Sequence, residues 1–234
     1  MRTLWLAETF ISIQGEGKLA GVPSFFIRTS GCNLRCHFCD TPYTSWEAEG
    51  EHRALDQILA PLDQHPAVRH TVVTGGEPLI AKGIEALVAA LKARGQHITI
   101  ETAGTVFVDL PGVDLWSVSP KLKSSTPRAS GSLESLEWVK RHEATRYAPD
   151  VLKQLVARPH QLKFVVGEPD DLDEVEAIVQ AIGAKSEDVL IMPEGVTVEE
   201  LDAGARWLVP ALIARGWRYC DRLHIRLFGH TPGT

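Results

Sequence analysis

The chain has 234 residues, 44% hydrophobic and 23% charged, which is enough for one full core and ordinary for a soluble globular protein. No apolar run approaches the roughly 20 residues a membrane helix needs. A formal net charge of −6 argues against nonspecific nucleic-acid binding, which depends on Lys and Arg neutralising phosphates.

With no internal repeat, low-complexity tract or long charge block, residues 1–234 read as a single domain. Residues 4–13 are a short apolar entry segment. Gln14-Gly15-Glu16-Gly17 follows, either a plain surface turn or a tight one that brings backbone close to a ligand. Residues 23–29 predict a strand, with Phe25, Ile27 and Thr29 on one face and Phe26, Arg28 and Ser30 on the other. Arg28 thus stands mid-strand among apolar neighbours. It either snorkels from the strand end or points into a site, where its planar fork would grip a carboxylate.

The strand leads into Cys32-Asn33-Leu34-Arg35-Cys36-His37-Phe38-Cys39, three cysteines at C-x3-C-x2-C spacing. Thiolates are the usual protein ligands of iron–sulfur clusters. Three would hold three irons of a cubane and leave the fourth open to the amino and carboxylate groups of S-adenosylmethionine (SAM). A structural zinc wants a fourth ligand, and His37 is a poor one because its neighbour Cys36 is already engaged. A disulfide fits less well. Nothing at the N-terminus reads as a signal peptide, and in a cytoplasmic chain this spacing points to metal or catalysis. Cys220, in a Trp-Arg-Tyr-Cys-Asp context, reads as a half-buried free thiol.

Beyond Asp40-Thr41-Pro42-Tyr43, residues 45–50 are loop and 55–62 an amphipathic helix. A β-branched strand over 68–73 ends at Thr74-Gly75-Gly76-Glu77-Pro78, where paired glycines expose backbone groups to a polar ligand. Helix is predicted over 80–94 with Gly95 as its C-cap, then strand over 97–102 with His97, Thr99 and Glu101 on one face. Glu101-Thr102-Ala103-Gly104-Thr105 closes that strand, and Ser119-Pro120-Lys121 closes the next, over 115–119. Residues 123–131 are loop, and 133–156 helix in two pieces broken near Pro149. Strand over 161–166, helix over 175–182 ended by Gly183, and strand over 189–192 ending at Pro193-Glu194-Gly195 follow. A helical tract over 197–215 is interrupted at Pro210, and a last strand over 223–228 places His224, Arg226 and Phe228 on one face.

Strands alternating with helices predict an α/β fold with a parallel sheet and right-handed crossovers. The Gly-, Ser- and Pro-bearing motifs fall just after strands, where parallel folds place their sites. The expectation is a partial (β/α) barrel of about six parallel strands, open at one side.

These stretches together resemble the 7-carboxy-7-deazaguanine synthases, radical SAM enzymes of the route to deazapurine nucleosides such as queuosine. The resemblance rests on Gln14 to Gly17, Phe26-Ile27-Arg28, the cysteine octet with Asp40-Thr41, Thr74 to Pro78, Glu101 to Thr105, Ser119 to Lys121 and Leu223-His224-Ile225. It implies a [4Fe–4S] cluster on Cys32, Cys36 and Cys39. It implies SAM contacts from Phe38, Cys39, Asp40, Gly76, Ser119, Pro120, Lys121, Met192, Pro193, Glu194 and Gly195, and Mg²⁺ on Thr41. The implied substrate, 6-carboxy-5,6,7,8-tetrahydropterin, would meet Ile13, Gln14, Gly15, Glu16, Arg28, Thr74, His224 and Thr234. Hydrogen removal at C6, ring contraction with loss of ammonia and regeneration of SAM would follow. A homodimer and an electron donor such as a flavodoxin or ferredoxin are also implied.

The chain departs from the family in two places. Many relatives carry a Trp-Gly-Asn-Lys-Arg-Gly-like tail where this chain has Phe228-Gly229-His230-Thr231-Pro232-Gly233, and residues 123–160 have no evident counterpart. A glycyl-radical activating enzyme would share the octet and the Gly-Gly-Glu-Pro tetrad, with no evident need for Gln14 to Gly17 or for Arg28 inside the barrel. A non-catalytic metal or redox scaffold is the reading from a different class.

Overall fold

Alternation along the strands decides the architecture. In the computed structural model, which describes residues 3–234, the strands are β1 (Thr3–Ile13), β2 (Pro23–Thr29), β3 (Glu51–Ala54), β4 (His70–Gly75), β5 (His97–Thr102), β6 (Leu115–Val118), β7 (His160–Val166), β8 (Val189–Pro193) and β9 (Arg218–Tyr219). They form one sheet in the order β3-β1-β2-β4-β5-β6-β7-β8-β9. From β2 to β9 every neighbouring pair is parallel, while β1 runs antiparallel to β2 and β3 antiparallel to β1. Among the described residues β3 and β9 do not pair, so the barrel is open at one side. The first six of the seven predicted strands are found as parallel members of this sheet. Residues 1 and 2 of the expected single domain lie outside the described residues.

Helices α1 (Leu55–Gln64), α2 (Ile84–Ala93), α3 (Leu133–Thr145), α4 (Pro149–Val156), α5 (Asp171–Ile182), α6 (Val198–Arg215) and α7 (Leu223–Phe228) complete the chain. One face of the sheet is apolar. Phe25, Ile27, Val73, Ile100, Trp116, Phe164 and Ile191 pack there with Ile58, Leu87, Leu155, Val175 and Leu208 from five of the helices. Each such side chain contributes about 1.5–3 kcal/mol by leaving water. The residues between them point into the barrel. Its floor is polar but paired: His70 bonds Ser24 Oγ at 2.7 Å and Thr99 Oγ1 at 2.8 Å, and Gln161 Nε2 donates to Ser117 Oγ at 2.8 Å.

Three expectations change. The entry segment is an 11-residue strand, β1, with a register shift between Leu6 and Glu8. This bulge flips the alternation. Leu4 and Leu6 face the core before it, and Ile11 does so after it, while Phe10 turns inward onto Phe26. The predicted last strand over 223–228 is instead helix α7. The final sheet-type bond is Cys220 N to Ile191 O, and Leu223 N then donates to Gly15 O at 2.9 Å, away from the sheet. Leu223, Ile225 and Leu227 alternate like a strand, but Leu227 is 57% exposed and only Ile225 is buried. Finally, α6 runs through Pro210 without a break, held by a Thr197–Glu200 capping box and by Gly216 at its end.

Candidate active site

The loops at one end of the sheet enclose a cavity of about 750 Å³. Every residue singled out above for a ligand lines it except Pro120, which is buried.

Cys32, Cys36 and Cys39 share one end of the cavity. Cys32 Sγ accepts from Leu34 N at 3.4 Å, and Cys39 Sγ lies 3.3 Å from Ser45 Oγ. Burial pushes the Cys32 thiol up to about 11 and the Cys36 thiol up to about 12, although Lys121 partly offsets the latter. Thiolates here therefore need a positive partner, and a metal cluster is one. Among the described residues no three His, Cys, Asp or Glu side chains are arranged for a single metal ion. A cubane takes each thiolate on its own iron and needs no fourth protein ligand.

The glycine pair is placed by packing. A Cβ on Gly76 would stand 2.2 Å from Gly31 O and 2.7 Å from Thr44 O, so only glycine lets β4 close against the cysteine loop. Glu77 is 0% exposed and bonds protein groups: Thr102 Oγ1 at 2.8 Å, Ala103 N at 2.9 Å and Leu79 N at 3.1 Å.

Residues 123–160 cover the other side of the loop. His142 Nδ1 accepts from Arg35 N at 3.2 Å, and its Nε2 lies 2.9 Å from Ser125 Oγ. Burial lowers the ring's pKa to about 4, so it stays neutral. Arg35 stacks on Trp138 of α3 with its guanidinium carbon 3.9 Å from the ring centre.

Across the cavity, Gln14 Nε2 and Thr74 Oγ1 donate to the two oxygens of Glu101, at 3.1 and 3.0 Å. Arg28 Nε donates to Glu8 Oε1 at 2.7 Å, and Tyr43 Oη donates to the same oxygen at 2.8 Å. Glu16 is paired with Lys163 and, at 3.0 Å, with Arg222 Nε. Burial opposes ionisation of Glu16, but Lys163 and Arg222 outweigh it and hold the carboxyl well below the usual range. Gly15 backs directly onto His224, whose Nδ1 would be 1.9 Å from a Cβ at that position. Between the two ends, Lys121 Nζ donates to Ser119 Oγ at 2.9 Å, and Ser119 N to Thr102 O at 2.8 Å. The divergent tail also reaches the cavity, with His230 Nε2 3.2 Å from Asp40 O.

The radical SAM superfamily model matches residues 26–150. The chain is 49% identical to the 7-carboxy-7-deazaguanine synthase of Rhodopirellula baltica, across 99% of this chain and 89% of that one. It is 45% identical to the 7-carboxy-7-deazaguanine synthase of Halobacterium salinarum, across 97% and 91%. The chain belongs to the 7-carboxy-7-deazaguanine synthase family. The Rhodopirellula baltica relative, aligned over 99% of this chain, includes a counterpart of residues 123–160, contrary to the expectation. The crystal structure of QueE from Escherichia coli shares the fold, with a TM-score of 0.69 and 25% identity over 95% of both chains. As a radical SAM enzyme of this family it uses a [4Fe–4S] cluster and SAM, and the cysteine end of the cavity fits such a cluster.

The sequence alone does not single out Glu8, Lys163, Arg222 or Glu101, all four of which the structure joins to residues lining the cavity. Lys163 carried a readable signal: it stands mid-strand between Leu162 and Phe164, as Arg28 does between Ile27 and Thr29. Glu8 carried none, because the bulge that turns it inward is set by strand pairing. Arg222 was hidden beside the misread strand.

Proposed function

We propose that the chain converts 6-carboxy-5,6,7,8-tetrahydropterin to 7-carboxy-7-deazaguanine with release of ammonia. One observation carries the reading. A single cavity holds the cysteine triad at one end and, opposite it, a cation with its fork open beside two acceptor carboxylates. A cluster held by Cys32, Cys36 and Cys39, with SAM bound beside it, would supply the radical chemistry that removes hydrogen from substrate C6.

Arg28 grips the substrate carboxylate through Nη1 and Nη2, since Glu8 occupies only its Nε. Glu16 and Glu101 receive the guanine-like edge. Each carboxylate oxygen has two lone pairs, so the bonds already made leave acceptor capacity. Lys163 and Arg222 keep Glu16 ionised for this task. Ile13, Gln14, Gly15, Thr74, His224 and Thr234 complete the substrate wall. Phe38, Asp40, Gly76, Ser119, Lys121 and the 192–195 loop line the path assigned to SAM. Thr41 Oγ1 offers one oxygen to Mg²⁺, which binds few protein groups and takes the rest from water and substrate. The protein's part in the step is to hold and orient the substrate. The reading includes a homodimer and a flavodoxin or ferredoxin as electron donor.

The test is anaerobic incubation of reconstituted protein with SAM, Mg²⁺, dithionite and the carboxypterin, with the product read by mass spectrometry. Appearance of the deazaguanine supports the reading. SAM cleavage without that product, or glycyl-radical formation on a partner protein, would sink it.

A further inference from the structure

Arg222 stands between the two halves of the cavity with its side chain only 7% exposed. Its guanidinium holds three loops at once. Nε donates to Glu16 Oε1 at 3.0 Å, Nη1 to the Gly195 carbonyl at 2.7 Å, and Nη2 to the Asp40 carboxylate. The next residue, Leu223, donates its N–H to Gly15 O at 2.9 Å. Glu16 and Gly15 belong to the half assigned to the carboxypterin. Asp40 and Gly195 belong to the half assigned to SAM.

A guanidinium is planar, and its donors keep one fixed geometry. A loop that shifts at one end of the fork misaligns the bonds at the other two. A ligand that orders its own loop therefore orders the other loops as well, and the second ligand meets a site already arranged. No other described side chain donates to all three of these loops.

We propose that Arg222 is a positioning residue that couples the two subsites, so that SAM and the carboxypterin each bind more tightly when the other is present. The coupling rests on the function proposed above. Coupling of this kind is reciprocal: the factor by which SAM tightens the carboxypterin equals the factor in the reverse direction.

The experiment uses anaerobic calorimetry on the holoenzyme with its cluster oxidised and no reductant, so that neither ligand turns over. The affinity of SAM is measured with and without saturating carboxypterin, and the affinity of carboxypterin with and without SAM. Wild type is expected to show about 10-fold tightening in both directions, within the range usual for coupled sites. Arg222→Lys keeps the charge and loses the fork; both ligands should still bind, with coupling reduced to within about 2-fold. Asp40→Asn leaves Arg222 in place and weakens one arm, so coupling should fall there too, which answers the question if Arg222→Lys fails to fold. Arg226→Lys, outside the cavity lining, should keep the wild-type factor. Full coupling in both Arg222→Lys and Asp40→Asn, or none in wild type, overturns the proposal and leaves the proposed reaction standing. Failure of wild type to bind the carboxypterin at all overturns both.

Discussion

Arg28 and Glu8 are register partners across the β1–β2 pair, joined by an Nε–Oε1 bond of 2.7 Å. Tyr43 donates to the same carboxylate oxygen. Among the described residues no protein group accepts from Arg28 Nη1 or Nη2. The guanidinium is thus held from one side with its two-pronged end free.

Arg28→Lys keeps a cation at this position but loses the fork. It should weaken carboxypterin binding by about 1–3 kcal/mol, the scale of a charged hydrogen bond. Glu8→Gln leaves the fork and loosens its aim, so a smaller loss of about 1 kcal/mol is expected. Calorimetry with the carboxypterin reads both, and SAM affinity measured without substrate should not change. Equal affinities in all three proteins would remove Arg28 from the substrate site.

Cys32→Ala, Cys36→Ala and Cys39→Ala should each prevent SAM cleavage, because each removes one cluster ligand. Cys220→Ala should retain cluster and cleavage. Its buried thiol accepts from Gly17 N at 3.2 Å, and burial pushes it up to about 11. Bound iron and 5′-deoxyadenosine after anaerobic reconstitution separate the four variants. Loss of the cluster in Cys220→Ala would contradict this assignment.

Glu16→Gln removes the anion that Lys163 and Arg222 share. Both cations are largely buried, with side chains 8% and 7% exposed, so the charge left behind is poorly solvated. A loss of about 3–5 kcal/mol in folding stability is expected, read by urea unfolding, together with weaker carboxypterin binding. Unchanged unfolding would mean that water or another anion compensates the pair.

Thr41→Val keeps the shape of the side chain and deletes its only oxygen. The Mg²⁺ response of product formation should weaken while the cluster spectrum stays the same. A titration that matches wild type would place the ion elsewhere.

His70 gives a pH dependence. Ser24 Oγ donates to Val22 O, so His70 Nδ1 donates to Ser24 and Nε2 accepts from Thr99. Burial, with a smaller contribution from His97, lowers its pKa from 6.5 to about 4. The unfolded chain takes up a proton as pH falls through 6.5, and the folded chain does so only near 4. The associated stability is therefore complete above the upper value and lost as pH falls toward the lower one, by about 2 kcal/mol between about pH 7 and about pH 5. His70→Gln cannot titrate and should show a shallower fall in urea unfolding across that window. Identical slopes in the two proteins would show that His70 takes up its proton over the same pH range in the folded and unfolded chains.

The chemistry of this protein was legible where it depends on neighbours in the chain. Cysteine spacing, glycine-bearing turns after strands and the two-residue repeat of β2 are local properties; they point to the cysteine loop and the parallel sheet and put Arg28 on the face opposite Ile27, but leave open whether it turns into the site. Tertiary structure alone decided which charges meet. Glu16, Lys163 and Arg222 lie 147 and 206 positions apart, and nothing local to any of them names the others. It also decided which way β1 faces. Leu4 and Leu6 predict a core side that would include position 8, yet pairing with β2 inserts a bulge and turns Glu8 toward Arg28. At 223–228 an apolar alternation suited to a strand became a helix, whose first residue, Leu223, donates its N–H to the Gly15 carbonyl in place of a strand edge. Periodicity states which residues can share a face, whereas hydrogen-bond and charge partners are settled by competition among groups that only folding brings together.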